Sequence, residues 1–303
     1  MADDDLPPFR RMPVPEALAW LAEHGEPVDP RPGIDTASLR ERFPHLAAVR
    51  CDDAVIPTAD GPVAARWYVD PTAAVAGPAF VWIHGGAFIG GHLDMPEANW
   101  VSLEFAARGV PVLSVDYRKC LGGVHHPAPA RDVAAAWAYA RAEVEARTGV
   151  PAARLCLGGA SAGGALAGGL LQRLTATPDA LPVRAVLVYP VLHPNGPAAN
   201  ADLDLDSPHG QLALNYAGSE AALRDPLAFA GMGDGAGFPP TLIVVCEHDD
   251  LRPSGEAFAR TLETAGREIE LYCEPGAAHA HIDQPGADDA LRTLERMRVW
   301  LCR

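Results

Sequence analysis

The sequence predicts an α/β fold, a doubly wound and mostly parallel sheet with a helical cap. Three observations carry that expectation. Short β-branched or aromatic runs alternate with longer Ala/Leu-rich stretches along most of the chain. The short runs are nearly continuous in apolar residues, the pattern of strands covered on both faces. Two segments, about 1–45 and 193–232, break the alternation and show no strong strand signal. Interruptions of that length inside a compact domain usually serve as a lid or binding element. We read them as one cap on a single domain spanning residues 1–303.

Taken in order, the chain opens with a helical stretch, Val14 to His24, set among prolines. Strands are then expected at Phe80-Val81-Trp82-Ile83 and Val112-Leu113-Ser114-Val115. The series continues with Arg154-Leu155-Cys156-Leu157 and Ala185-Val186-Leu187-Val188-Tyr189. It ends with Leu242-Ile243-Val244-Val245 and Glu268-Ile269-Glu270-Leu271-Tyr272. Helices are expected between them at about 98–108, 129–147, 162–174, 254–265 and 286–301. At 303 residues, 49% hydrophobic and 21% charged, the chain can bury a large core.

Composition also excludes partners. A formal net charge of -15 repels phosphate backbones and anionic lipid, which argues against nucleic-acid and membrane-surface binding. No apolar run approaches the roughly 20 residues of a membrane span. The first residues, Met-Ala-Asp-Asp-Asp, are acidic where a signal peptide is basic and then apolar, so the expected compartment is the cytoplasm. The six cysteines lie far apart with no C-x-x-C pair and read as buried reduced thiols.

Chemistry enters at Gly159-Ala160-Ser161-Ala162-Gly163. The predicted strand through Leu157 runs into this pentapeptide and a predicted helix leaves it. A serine at the tip of such a turn has a strained backbone and needs small residues at both ±2 positions. The turn exposes the hydroxyl and aims the next amide, that of Ala162, into the same space, while the helix start favours developing negative charge. Only one of the seven serines, Ser161, stands in such a frame. His84-Gly85-Gly86-Ala87-Phe88 directly follows another predicted strand, and its glycines let backbone amides turn toward a tetrahedral oxyanion.

Together His84-Gly85-Gly86-Ala87, Asp116-Tyr117-Arg118 and Gly159-Ala160-Ser161-Ala162-Gly163-Gly164 resemble the hormone-sensitive-lipase family of esterases and lipases. The likeness runs from about residue 50 to 300. It implies an α/β-hydrolase fold, a cap partly built from the N-terminus, and hydrolysis of short or medium acyl esters without a metal. It also implies an oxyanion hole made by the amides of Gly85, Gly86 and Ala162. The chain departs from the family at Ala87 for a third glycine and at Ala160 for an acidic residue before the serine. It departs again at Tyr117-Arg118-Lys119-Cys120-Leu121-Gly122-Gly123, where the family has Tyr-Arg-Leu-Ala-Pro-Glu.

A serine hydroxyl needs an imidazole oriented by a carboxylate, in the order Ser, acid, His on loops after later strands. One such loop carries Glu247, Asp249 and Asp250; the other carries His279 and His281. The family pattern matches Asp249 first, with Asp250 behind it, and Pro-Gly-x-x-His matches His279, leaving His281 as a pocket or supporting residue. Asp116-Tyr117-Arg118 reads as polar support beneath the oxyanion loop. His92, His125, His126, His193 and His248 lack metal-ligand spacing, and no phosphate or dinucleotide motif is present. The tryptophans read as core, with Trp20 a candidate for the cap.

The expected function is therefore a carboxylesterase-type serine hydrolase acting through an acyl-enzyme, with no cofactor and a small-molecule ester as partner. The alternatives are an amide or acetyl hydrolase using the same triad and a non-catalytic receptor on the same scaffold. A homodimer stays open.

Overall fold

Eight strands form one sheet in the order β1 (Arg50–Ile56), β2 (Val63–Val69), β4 (Val112–Asp116), β3 (Ala79–Ile83), β5 (Leu155–Ala160), β6 (Ala185–Val188), β7 (Thr241–His248) and β8 (Ile269–Ala278). The computed structural model describes residues 8–74, 77–195 and 203–303. From β4 to β8 every neighbouring pair is parallel, whereas β2 pairs antiparallel with both β1 and β4. The six strands expected from sequence are all present, with ends shifted by one or a few residues.

The hairpin β1–β2 was not expected, and its burial shows why. In β1 only Ile56 is fully buried, and Asp52 and Asp53 are exposed. In β2 the residues Val63, Ala65 and Trp67 point inward while their neighbours Ala64 and Arg66 are more exposed. These strands read with a period of two and carry charge, unlike strands covered on both faces.

Side chains on alternate strand positions enter two separate cores. Val81 and Ile83 join one with Leu157, Leu187 and Ile243; helices α4 (Ala128–Thr148), α5 (Ala162–Leu174) and α7 (Arg252–Thr264) cover it. Phe80 and Trp82 join the other with Cys156, Val186 and Val244 under α3 (Pro96–Ala107) and α8 (Asp288–Leu301). Each wholly buried Val, Leu or Phe contributes about 1.5–3 kcal/mol. Trp82 and Trp300 also satisfy their indole N–H groups, on the carbonyls of Glu97 and Ala185.

The N-terminal segment carries α1 (Val14–His24), as expected, and α2 (Thr36–Arg42), which was not. Asp35 starts α2 by accepting from the amides of Ala37 and Ser38. Within 193–232 lies a second unexpected helix, α6 (Pro208–Ala217), capped by the Ser207 hydroxyl. Its Pro/Gly/Ala/Asp-rich surroundings carry little periodicity. α6 contacts α1, and its Tyr216 ring stacks on Phe88 at 3.8 Å. Trp20 stacks between Phe9 and His24. Residues 1–7 and 196–202 of the expected cap lie outside the described residues.

All six cysteines are free: Cys120, Cys156 and Cys246 are buried, Cys51 and Cys273 half-buried, and Cys302 is exposed, contrary to expectation. Among the described residues no helix is long and apolar enough to cross a membrane.

Candidate active site

β5 ends at Ala160 and α5 begins at Ala162, which leaves Ser161 at the turn with φ +52° and ψ −118°. A residue with a Cβ held there costs about 1–3 kcal/mol, so its surroundings must enforce it. Ser161 donates its amide to the Val188 carbonyl at 2.9 Å and accepts at its own carbonyl from Ala165 at 3.1 Å. The two flanking glycines are required by close backbone approach. A Cβ on Gly159 would lie 2.3 Å from the Gly163 carbonyl oxygen, and one on Gly163 would lie 2.2 Å from that of Ile83.

The turn after β7 and the end of β8 bring Asp249 and His279 to this serine. His279 Nδ1 lies 2.8 Å from Asp249 Oδ2, and His279 Nε2 lies 2.9 Å from Ser161 Oγ. Since the carboxylate accepts, the ring proton sits on Nδ1, and the Nε2 lone pair faces the serine O–H. The Asp249 side chain is only 3% exposed, and its other oxygen accepts from the Leu251 amide at 2.9 Å. Asp250 is exposed, and Glu247 instead accepts from the Gly276 amide. Geometry thus separates neighbours that sequence left side by side.

His281 lies behind His279, held away from Ser161 by its own partners. It is buried, with Nε2 2.8 Å from Thr293 Oγ1 and Nδ1 3.3 Å from Cys246 Sγ, and the Thr293 hydroxyl donates to Glu274. Burial pushes its imidazole below the ordinary histidine value.

The oxyanion loop differs from expectation at one position. The Gly85 amide does not face the serine's open side; it donates to Glu97 Oε1 at 2.5 Å. The chain at Gly85 still faces α3, and the reversal begins one residue later. Gly86, Ala87 and Phe88 have φ of +116°, +52° and +65°. Among the described residues the amides of Gly86, Ala87 and Ala162 have no hydrogen-bonded acceptor. The expected Gly85 amide is thus engaged elsewhere, while those of Gly86, Ala87 and Ala162 are left available to donate.

Beneath the loop, Asp116-Tyr117-Arg118 acts as the support expected from sequence. The Tyr117 hydroxyl donates to the Gly85 carbonyl at 3.1 Å, and its ring stacks on buried His84 at 4.8 Å. Burial pushes the His84 imidazole down. Burial also works against the Asp116 charge, but His84 and Lys119, whose ammonium lies 2.6 Å away, hold that carboxyl at about 2. Arg118 pairs with Asp132.

Sequence reading missed Glu97, which is only 2% exposed. Its Oε2 accepts from the Tyr189 hydroxyl at 2.5 Å, and the Tyr189 ring lies 4.8 Å from His279. Burial and the neighbouring Asp283 push the Glu97 carboxyl up to about 7. Asp283 accepts from the Glu97 amide at 2.9 Å and pairs with Arg31 of the N-terminal segment at 2.7 Å. No sequence signal distinguished Glu97, because an acid in a first helical turn is ordinary. Beside His279 opens a cavity of about 280 Å³ lined by Phe9, Glu26, Arg31, His92 and Met95, among others. Among the described residues no group of three or more His, Cys, Asp or Glu side chains is placed to hold a metal ion.

A doubly wound sheet with a serine on the tight turn after β5, and an acid and a histidine on later loops, defines an α/β hydrolase. The chain belongs to the family described as alpha/beta hydrolase fold, which matches residues 80–283, and the resemblance to hormone-sensitive-lipase-type esterases holds. It is 31% identical to esterase LipI of Mycobacterium tuberculosis, over 86% of this chain and 85% of that one. It is 33% identical to an ethyl acetate hydrolase of Pseudomonas putida, over 68% of this chain and 66% of that one. Esterase LipW of Mycobacterium marinum superposes with a TM-score of 0.76 at 27% identity, covering 99% of this chain and 96% of that one.

Proposed function

We propose that this chain is a carboxylesterase that hydrolyses esters of small to medium acyl groups through an acyl-enzyme on Ser161. The observation that carries the reading is the unbroken series from Asp249 through His279 to Ser161, at 2.8 and 2.9 Å. In it, His279 Nε2 takes the serine proton as Oγ attacks the ester carbonyl, and Asp249 stabilises the imidazolium. The developing oxyanion is held by the amides of Gly86, Ala87 and Ala162, each such donor being worth about 3 kcal/mol in the transition state. His279 then gives its proton to the leaving alcohol, and in the second half-reaction deprotonates the water that releases the acid.

The same reading takes residues 1–303 as one domain whose cap comes from about 1–45 and 193–232. It includes a cytoplasmic location and use of no cofactor. The relatives named as esterases support ester over amide chemistry. The test is a panel of nitrophenyl esters and matched anilides on wild type and Ser161→Ala. Ester turnover lost by at least about 10³-fold in the variant is expected. Anilide turnover equal to ester turnover would favour an amide hydrolase, and failure of wild type to react with a fluorophosphonate would favour a receptor.

A further inference from the structure

Glu97 is a buried carboxyl beside the site that the mechanism above does not use. Its carboxyl joins two elements far apart in sequence. One oxygen holds the Gly85 amide at the base of the oxyanion loop, and the other holds the hydroxyl of Tyr189 at the end of β6. The Tyr189 ring packs against both His279 and His281, at 4.8 and 5.6 Å. Tyr189 is itself constrained, with φ +36° and its amide 2.6 Å from the Val244 carbonyl. The space is tight: a Cβ on Gly85 would stand 2.7 Å from Glu97 Oε1 and 3.0 Å from Ser161 Cβ. The carboxyl, the loop and the nucleophile therefore share one pocket wall, while position 160, just before the serine, offers only a methyl group.

We propose that Glu97 is a positioning residue that ties the oxyanion loop to the aromatic wall behind the base, fixing the hole amides relative to His279 and Ser161. This rests on the reading of Ser161 as the nucleophile. Glu97 touches neither substrate nor the reacting atoms. It acts by where it holds Gly85, and hence the reversal at Gly86 and Ala87 that presents the donors. Geometry at this level matters because a misplacement of about 1 Å costs on the order of 10² in rate. The groups that face its charge are Asp283 with its partner Arg31 at the α3 N-terminus, and Tyr189, Tyr117 and His279 around the site. Burial and Asp283 both favour the protonated acid, which keeps one oxygen free to accept from Gly85 and can donate to the tyrosine oxygen. The tie thus survives in either protonation state.

The test compares Glu97→Ala, Glu97→Gln and Tyr189→Phe with wild type, all as full chains, using a nitrophenyl ester. Glu97→Ala leaves both donors without an acceptor and is expected to lower kcat about 100-fold, with KM changed by less than about threefold. Glu97→Gln keeps an acceptor opposite Gly85 and is expected to recover to between about three- and tenfold below wild type, with Tyr189→Phe in the same range. A folded Glu97→Ala with wild-type kcat, or one altered in KM alone, overturns the proposal. If that variant does not fold, unchanged kcat in both Glu97→Gln and Tyr189→Phe overturns it. Wild type without ester turnover would instead sink the esterase reading. In that event the infrared carboxyl band of Glu97, absent in Glu97→Gln and titrating near pH 7, still reports whether the acid is buried where the tie requires it.

Discussion

Replacing Glu97 by glutamine should change how the stability of this protein depends on pH. Burial and Asp283 raise the folded-state carboxyl from 4.5 to about 7. At 1.36 kcal/mol per pH unit that interval corresponds to about 3 kcal/mol. Because the folded protein holds a proton that the unfolded chain releases, the contribution is present in full below about pH 4.5 and is lost as pH rises through about 7. Glutamine cannot titrate and resembles the protonated acid in shape. Relative to wild type, Glu97→Gln should therefore gain about 3 kcal/mol of stability between pH 4.5 and pH 8. Urea denaturation of both proteins at a series of pH values measures the difference directly. Asp283 is also pushed up by burial, but it is present in both proteins and largely cancels. A difference in unfolding free energy that stays constant with pH would refute the reasoning and place the Glu97 titration at its ordinary value.

Three further substitutions probe the turn and the base. Gly159→Ala puts a methyl 2.3 Å from a backbone oxygen that cannot move without carrying Ser161 with it. It should lower stability by about 3 kcal/mol or more and abolish ester turnover, and wild-type kcat in this variant would contradict the account of the turn. His279→Ala should remove about 10⁴ or more of kcat, whereas His281→Ala should keep turnover within about tenfold while lowering the melting temperature, because it empties a buried hydrogen-bonded site. The reverse pattern in steady-state kinetics would reassign the base.

Much of this architecture was legible in the chain itself. Strands β3 to β7 are apolar nearly throughout because both of their faces are covered, and local composition alone reports that; β8, at the other sheet edge, is half exposed and carries Glu270 and Glu274. The hairpin at the sheet edge escaped because β1 is half solvated and acidic, and α6 escaped because its flanks lack helical periodicity. Ser161, His279 and Asp249 could be nominated from motifs and chain order, since each is specified by the strand that precedes it.

What the sequence determined by itself, then, was the covalent frame of the site: a serine between glycines, an amide-bearing loop, and an acid and a histidine after later strands. Only the tertiary structure put Asp249 rather than Asp250 against His279, set His281 away from Ser161, gave the Gly85 amide to Glu97 and left the amides of Gly86, Ala87 and Ala162 without an acceptor among the described residues. The physical reason is range. A turn or a strand is dictated by residues a few positions apart. The Glu97 carboxyl meets Gly85 and Tyr189 across 12 and 92 positions only because the sheet stacks β3, β5 and β6 side by side under α3.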